Sequence, residues 1–315
     1  MASKRLKLDL LKWYPILAND LLATTFPQKT FYVATILDKT QIQKLTQHFI
    51  QLSSFNKYSL KRIRQSTSES DEKVFEMLIS DSDKLEEIPK EIGKYLDNIR
   101  QIQLPYDMPL TREQFNRISS HWPIKFHEDK EIEILVNNKF NIATDEKTLL
   151  NHDKYARLAL KISKENFNKA VSVIVDPALN SIVSIGIDDR ENYPLHHSTI
   201  NALNNVSKKQ LSLEDDSTVL NDIVADFDIK KDDSSNYLCT NYHAYLTHEP
   251  CSMCAMALVH SRIFKVFYLH NVSHGYLFSS CKLHTVKSLH HKFQVFKASN
   301  IDGVEEDCKI YFSIK

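Results

Sequence analysis

The sequence predicts an α/β protein of two domains: a small α+β unit with the element order β-α-β-β-α-β, then a larger α/β/α sandwich. Three observations predict it. Strand-like and helix-like apolar patterns alternate along the chain in two separate groups. A stretch punctuated by Pro105, Pro109 and Pro123, with little periodicity, divides the groups. The 315 residues suit two domains of about 100–200 residues each.

The first group runs as follows. Residues 31–37 are β-branched and aromatic, hence a strand. Ile42, Leu45, His48, Phe49 and Leu52 recur near helical spacing, so 40–54 reads as an amphipathic helix. A short basic strand is expected at 60–64 and another strand at 73–79. Residues 82–96 read as a second helix with Ser80 or Asp81 as N-cap, and 99–104 as a closing strand. The order is that of a ferredoxin-like domain, placed at 1–104. Residues 105–145 read as a linker that packs, because Trp122 and Phe126 are costly to leave in water.

The second domain is placed at 146–315. It opens with a long helix bearing Leu149, Leu150, Tyr155, Leu158 and Leu160. Strands at 171–175 and 182–187 follow, then a helix from His197 to about residue 206. Residues 207–236 are polar, with Glu214, Asp215, Asp216, Asp232 and Asp233, and read as an insertion. A strand at 244–247, a helix from Cys251 and a strand at 266–269 complete the pattern. A basic cluster of Lys287, His290, His291, Lys292 and Lys297 is expected on a C-terminal helix.

Composition excludes several classes. Lys plus Arg equals Asp plus Glu, at 40 each, so no global field draws the chain to nucleic acid or anionic membrane. No segment offers the ~20 consecutive apolar residues of a membrane span, and the first twenty residues hold no apolar run suited to a secretory signal. Five cysteines, an odd number, argue against a disulfide scaffold.

The chemistry concentrates at His248-Glu249-Pro250-Cys251-Ser252-Met253-Cys254. Pro250 suits a strand-to-helix turn, and Cys254 lies one helical turn after Cys251, so both sulfurs can face one point. Two thiolates at a helix N-terminus make half of a tetrahedral zinc site. His197, at the start of its own helix, is placed to supply a third ligand; His196 competes, since only one of two adjacent side chains can face the metal. A redox Cys-x-x-Cys or two buried thiols are the alternatives. Cys308 is a candidate fourth ligand, which would close the site.

His-x-Glu followed by Pro-Cys-x-x-Cys is the zinc deaminase signature. Here the first half reads His197-Ser198-Thr199. In such enzymes the glutamate carries a proton from an activated water to the leaving nitrogen. Thr199 cannot, and loss of a positioned acid/base costs roughly 10²–10⁴ in rate. Glu191, six residues before His197, is no substitute. A zinc site with little deaminase chemistry of its own is expected.

Residues Tyr245 to Arg262 resemble the accessory, non-catalytic subunit of the eukaryotic heterodimeric tRNA wobble-adenosine deaminase. Val171 to Pro177, Pro194 to Ser198 and Leu60 to Arg64 resemble the same subunit, and Thr199 agrees with its lack of the catalytic glutamate. The resemblance implies a cytidine-deaminase-like α/β/α sandwich and Zn²⁺ on His197, Cys251 and Cys254. It also implies a heterodimer with a catalytic deaminase subunit, tRNA as the joint substrate, adenosine-to-inosine editing at the wobble position, and a place in nucleus and cytoplasm. Lys57, Lys61, Arg62 and Arg64 become candidate RNA contacts, although such a run is also an ordinary solvated edge. Arg262 reads as a core-anchoring ion pair in preference to a tRNA contact, and the helix with Met253, Met256, Ala257 and Leu258 as core or subunit interface. A self-sufficient nucleoside or base deaminase, and a structural zinc RNA-binding protein without a deaminase partner, are the competing functions.

Overall fold

A computed structural model describes residues 11–52, 58–67, 73–81, 88–137, 145–210, 230–231 and 238–299. Two compact units are present, one of residues 19–136 and one combining 1–18 with 137–315. No helix among the described residues is long and apolar enough to cross a membrane.

The front unit holds β2 (Gln28–Ile36), α1 (Ile42–Leu52), β3 (Ile63–Thr67), β4 (Lys73–Ser80), α2 (Lys90–Gly93) and β5 (Leu96–Pro105). Its sheet is antiparallel throughout, in the order β3-β4-β2-β5. Strand alternation sends Ala34, Ile36, Met77 and Ile79 to one face, against Leu45 and Phe49 of α1 and Ile92 of α2. Phe31, Val33, Leu78 and Leu104 line the other face.

That second face is covered by the stretch expected to be a linker. It contains α3 (Arg112–Ser119) and α4 (Lys130–Asn137). Thr111 caps α3 by accepting from the Gln114 N–H, and Gln114 in turn donates to the Asp20 carbonyl at 2.7 Å. Ile118 and the fully buried Trp122 fill the core, and the indole donates to the Lys61 carbonyl at 2.6 Å. Burying one tryptophan is worth roughly 4–6 kcal/mol before entropy is charged. Residues 105–136 therefore belong to the front unit.

A further expectation is corrected there. The second helix is one turn, 90–93, because Leu96 joins the sheet; residues 82–87 lie outside the described set. Asp81, one of the two expected caps, accepts from the Tyr58 hydroxyl at 2.8 Å and from Lys29 at 3.4 Å through its carboxylate.

The larger unit contains β1 (Lys12–Pro15), α5 (Glu146–Glu165), β6 (Val171–Asp176), β7 (Ser181–Ile187), α6 (Ser198–Gln210) and β8 (Lys230–Lys231). It continues with β9 (His243–His248), α7 (Ser252–His260), β10 (Lys265–His270) and β11 (Gln294–Ser299). The seven-stranded sheet has the order β1-β11-β10-β9-β6-β7-β8. β9, β10 and β11 run parallel, and α7 makes the crossover from β9 to β10. Ala244, Leu246, Val266 and Tyr268 face α6 and α7, sharing a core with Ala202, Ala255 and Leu258. The opposite face takes Tyr155 of α5, whose ring lies 5.2 Å from that of Tyr245 of β9, tilted by 35°.

β1 was not expected. It pairs antiparallel with β11, and Trp13, fully buried, meets the Phe267 ring edge-on at 5.2 Å. The start of the chain thus belongs to the unit holding its end, not to the front domain. The C-terminal helix is also corrected: after a 3-10 turn at Leu283–Thr285 the chain enters β11, which carries Lys297. Within the expected insertion, α6 continues to Gln210 and Lys230–Lys231 pair with β7; the remainder lies outside the described residues.

Candidate metal centre

The helices α6 and α7 contact each other and bring their first turns to one point. His197 directly precedes α6, and its carbonyl accepts the first-turn N–H of Asn201 at 2.9 Å. Cys251 is the N-cap of α7, in extended conformation after Pro250, so its sulfur sits where the helix leaves its N–H groups open.

One ligand atom from each of His197, Cys251 and Cys254 lies within 4.8 Å of the others. The Cys251 sulfur is 3.6 Å from His197 Nδ1. A tetrahedral zinc with ordinary Zn–S and Zn–N bonds requires about 3.6 Å between those atoms. The donor set, two thiols and an imidazole, suits zinc in both softness and number. His196 loses the competition: its ring lies 4.9 Å from that of Tyr193, and its Nδ1 faces Asp189 at 3.9 Å.

The two thiols share protons. A hydrogen bond from Cys254 pulls the Cys251 pKa down to about 5, against the opposing effect of burial. N–H groups of Cys254 and Met253 and the neighbouring His197 act in the same direction. Cys254 is pushed up, first by that same bond and then by burial. The pair holds one proton between two sulfurs at neutral pH, which favours displacement by a divalent cation.

Thr199 is buried beside this triad, its hydroxyl 3.1 Å from the Ser172 hydroxyl of β6. Among the described residues the cluster includes no carboxylate. Glu191 is exposed and paired with Lys169 at 3.0 Å.

Glu249, two residues before Cys251, is buried but committed. Its Oε1 accepts from the N–H groups of Leu277, Phe278 and Ser279 at 3.0, 2.6 and 2.9 Å, and its Oε2 from the Ser279 hydroxyl at 2.5 Å. Gly275 makes room for it, since a Cβ there would lie 2.1 Å from the carboxyl carbon. The carboxylate latches the 272–280 loop to the turn that presents Cys251, and Tyr276 adds a bond to the Pro250 carbonyl at 2.9 Å. Glu249→Ala should orphan three N–H groups and destabilise by more than about 3 kcal/mol. Glu249→Gln, which keeps one acceptor oxygen, should lose less than half as much. Urea midpoints of the two variants check this; equal midpoints would refute the latch.

The candidate RNA contacts divide. Lys57 and the proposed ligand Cys308 lie outside the described residues. Lys61 is exposed. Arg62 is half-buried, with Nη1 3.4 Å from the Leu78 carbonyl, and burial lowers its pKa. Arg64 donates to Glu76 at 2.6 Å and to the His121 carbonyl at 3.0 Å, and stacks over Trp122 at 4.3 Å. Arg100, unforeseen, binds the other oxygen of Glu76. Arg262 is exposed, with a φ of 58° just past the end of α7, and makes no ion pair among the described residues; the core-anchoring reading is corrected.

Comparison with known proteins agrees with this geometry. Residues 149–270 match the family model for the cytidine and deoxycytidylate deaminase zinc-binding region. A zebrafish (Danio rerio) protein named "Probable inactive tRNA-specific adenosine deaminase-like protein 3" is 36% identical over 222 residues, 66% of this chain and 64% of its own. The human (Homo sapiens) protein of that name is 30% identical over 305 residues, 88% of this chain and 86% of its own. The "tRNA-specific adenosine deaminase subunit tad3" of Schizosaccharomyces pombe is 27% identical over 294 residues, 85% and 84% of the two chains. The class is thus a deaminase-type zinc-binding domain. Within it, the chain belongs to the family of inactive tRNA-specific adenosine deaminase-like protein 3 and Tad3 subunits.

Proposed function

We propose that this chain is the catalytically deficient, zinc-holding subunit of a tRNA adenosine deaminase, acting with an active partner subunit in adenosine-to-inosine conversion at the wobble position. The observation that carries it is the convergence of His197, Cys251 and Cys254 beside Thr199, where the signature has glutamate. Zinc bound there would supply a Lewis-acid centre and a fixed positive charge. Among the described residues no carboxylate joins the triad to move a proton, so these residues hold and shape rather than react. On α7, Met253, Met256 and Ala257 are half-exposed and form the face we assign to the partner.

We read the front unit as a ferredoxin-like domain, which its antiparallel order β3-β4-β2-β5 supports. We assign it tRNA phosphate contacts. Support comes from Lys61 and from two guanidiniums, Arg64 and Arg100, sharing the single buried carboxylate of Glu76, which leaves net positive charge at the surface.

The test expresses the chain alone and with a candidate catalytic partner, and measures inosine in tRNA. None is expected alone and inosine is expected together; turnover by the isolated chain would make it a self-sufficient deaminase, and recovery of RNA without any deaminase partner would make it a separate RNA-binding protein. Cys254→Ser should weaken zinc binding by more than the 10–100-fold typical of residues that only orient a ligand. Metal analysis of the purified variant checks this.

A further inference from the structure

The chain balances its charges as a whole, but it does not spread them evenly. Residues 239–299 carry six lysines and arginines against a single acid, Glu249. That acid is buried and bound by the N–H groups of Leu277, Phe278 and Ser279, so its charge stays inside. The same stretch holds eight of the 14 histidines. A surface of this composition attracts anions.

The fold gathers four of these side chains where α7 ends. His260 is the last residue of α7, and its ring lies 5.5 Å from that of His290. Nε2 of His291 donates to the Ile263 carbonyl at 2.6 Å, and the Gln294 N–H donates to the Phe264 carbonyl at 3.1 Å. These bonds moor the segment carrying His290 and Lys292 to the turn carrying Arg262. His260, Arg262, His290 and Lys292 are all exposed, and none makes an ion pair among the described residues.

Arg262 stands there against backbone preference. Its N–H donates to the Val259 carbonyl at 3.1 Å, and the Ile263 N–H donates to the Leu258 carbonyl at 3.2 Å. This pair of bonds ends a helix on a left-handed residue, and Arg262 has a φ of 58°. Glycine adopts that conformation freely, whereas a long side chain does not. An exposed arginine at a glycine position, with no acid paired to it among the described residues, points to a ligand for its guanidinium. His260 lies three and four residues beyond Ala257 and Met256, hence on the same face of α7. The patch therefore borders the face assigned to the partner subunit.

We propose that His260, Arg262, His290 and Lys292 form a phosphate-binding surface for the tRNA backbone, separate from the contacts assigned to the front unit. The inference rests on tRNA being the joint substrate. Guanidinium, ammonium and imidazole N–H groups each suit a phosphate oxygen, and such contacts fix the position of an RNA without reading its bases. The nine residues of α7 span about 13 Å, so the patch holds RNA at a distance from this chain's metal centre.

The experiment measures binding of a tRNA with a wobble adenosine to the complex of the full chain and its catalytic partner, over a salt series. Arg262→Gly suits the backbone and removes the guanidinium, so its melting temperature should hold or rise. Combined with Lys292→Ala, it should weaken tRNA binding about tenfold and make the salt slope shallower by roughly one to two. Lys292→Glu alone, a reversal on an exposed side chain, should weaken binding severalfold. Unchanged affinity and salt slope in the double variant, in a complex that still makes inosine, overturns the inference and leaves the proposed function standing. Loss of the partner subunit from the purified double variant also overturns it, because the patch would then be a subunit contact. A parent complex that makes no inosine and binds no tRNA overturns both.

Discussion

Gly186→Ala should be among the most damaging single substitutions in the larger unit. The added carbon would lie 2.2 Å from both the Ala202 nitrogen and the Ser198 carbonyl oxygen. Both are backbone atoms of α6, so no side chain can turn aside; the helix must lift from the sheet. Overpacking a core with a single methyl commonly costs ~1–3 kcal/mol, and a clash with helix backbone belongs at or above the top of that range. The lift also carries His197 away from the two cysteines, which are anchored on α7. A fall of several degrees in melting temperature should therefore be accompanied by loss of bound zinc. Retention of both by the alanine variant would show that α6 does not sit on Gly186 as described.

Acid should unfold the larger unit well before its carboxylates alone would. His152 and His243 are buried against Phe267, with centroids 4.2 and 5.7 Å from its ring. His152 Nδ1 is 2.8 Å from the hydroxyl of Tyr245. Burial, reinforced by Lys265, lowers the pKa of His152 to about 4 and that of His243 to about 3; Asp145 opposes slightly at His152, and His152 adds to the fall at His243. His284, held by the Ile16 carbonyl at 2.9 Å, is lowered to about 4, chiefly by burial. A histidine with a depressed folded pKa favours the folded state fully above its unfolded value near 6.5. That advantage fades as pH falls through the folded pKa. For His152 the loss amounts to about 3 kcal/mol, and the adjacent His243 overlaps with it rather than adding in full. Urea unfolding should show a plateau above about pH 7 and a steep decline from about 6.5 towards 4. His243→Phe, which keeps the ring stack and removes the proton acceptor, should move the decline to lower pH. A decline at the same pH in that variant would remove His243 from the account.

The metal triad was legible because its information is local. Cys251, Cys254 and the preceding Pro250 occupy one turn, and helix geometry alone points the sulfurs together. Most central strands of both units were legible from β-branched and aromatic runs, while β1 and β11 were not. What was hidden depends on distant partners or polar composition. α3 offers only Phe115 and Ile118 as apolar positions, so it reads as loop until Trp122 is seen closing the core beneath it. Arg64 reads as a free edge charge because its partners Glu76 and His121 lie far along the chain. Glu249 hides inside a motif whose cysteines draw the eye. One signal was available: the chain has only 4 glycines. In so glycine-poor a sequence, Gly186 within a strand and Gly275 just after one mark places where another group comes too near for a side chain. Those groups are α6 and the carboxylate of Glu249.

The pairing of Lys12–Pro15 with Phe296–Ser299 has a consequence for biosynthesis. β1, the earliest described strand, has no partner strand until β11, the latest described one, is translated. At about 5–20 residues per second, Trp13 waits tens of seconds for its place, while the front unit can already have formed. A nascent chain stalled before β11 would carry that indole bare, and chaperones that bind exposed aromatic segments should be found on it during that interval.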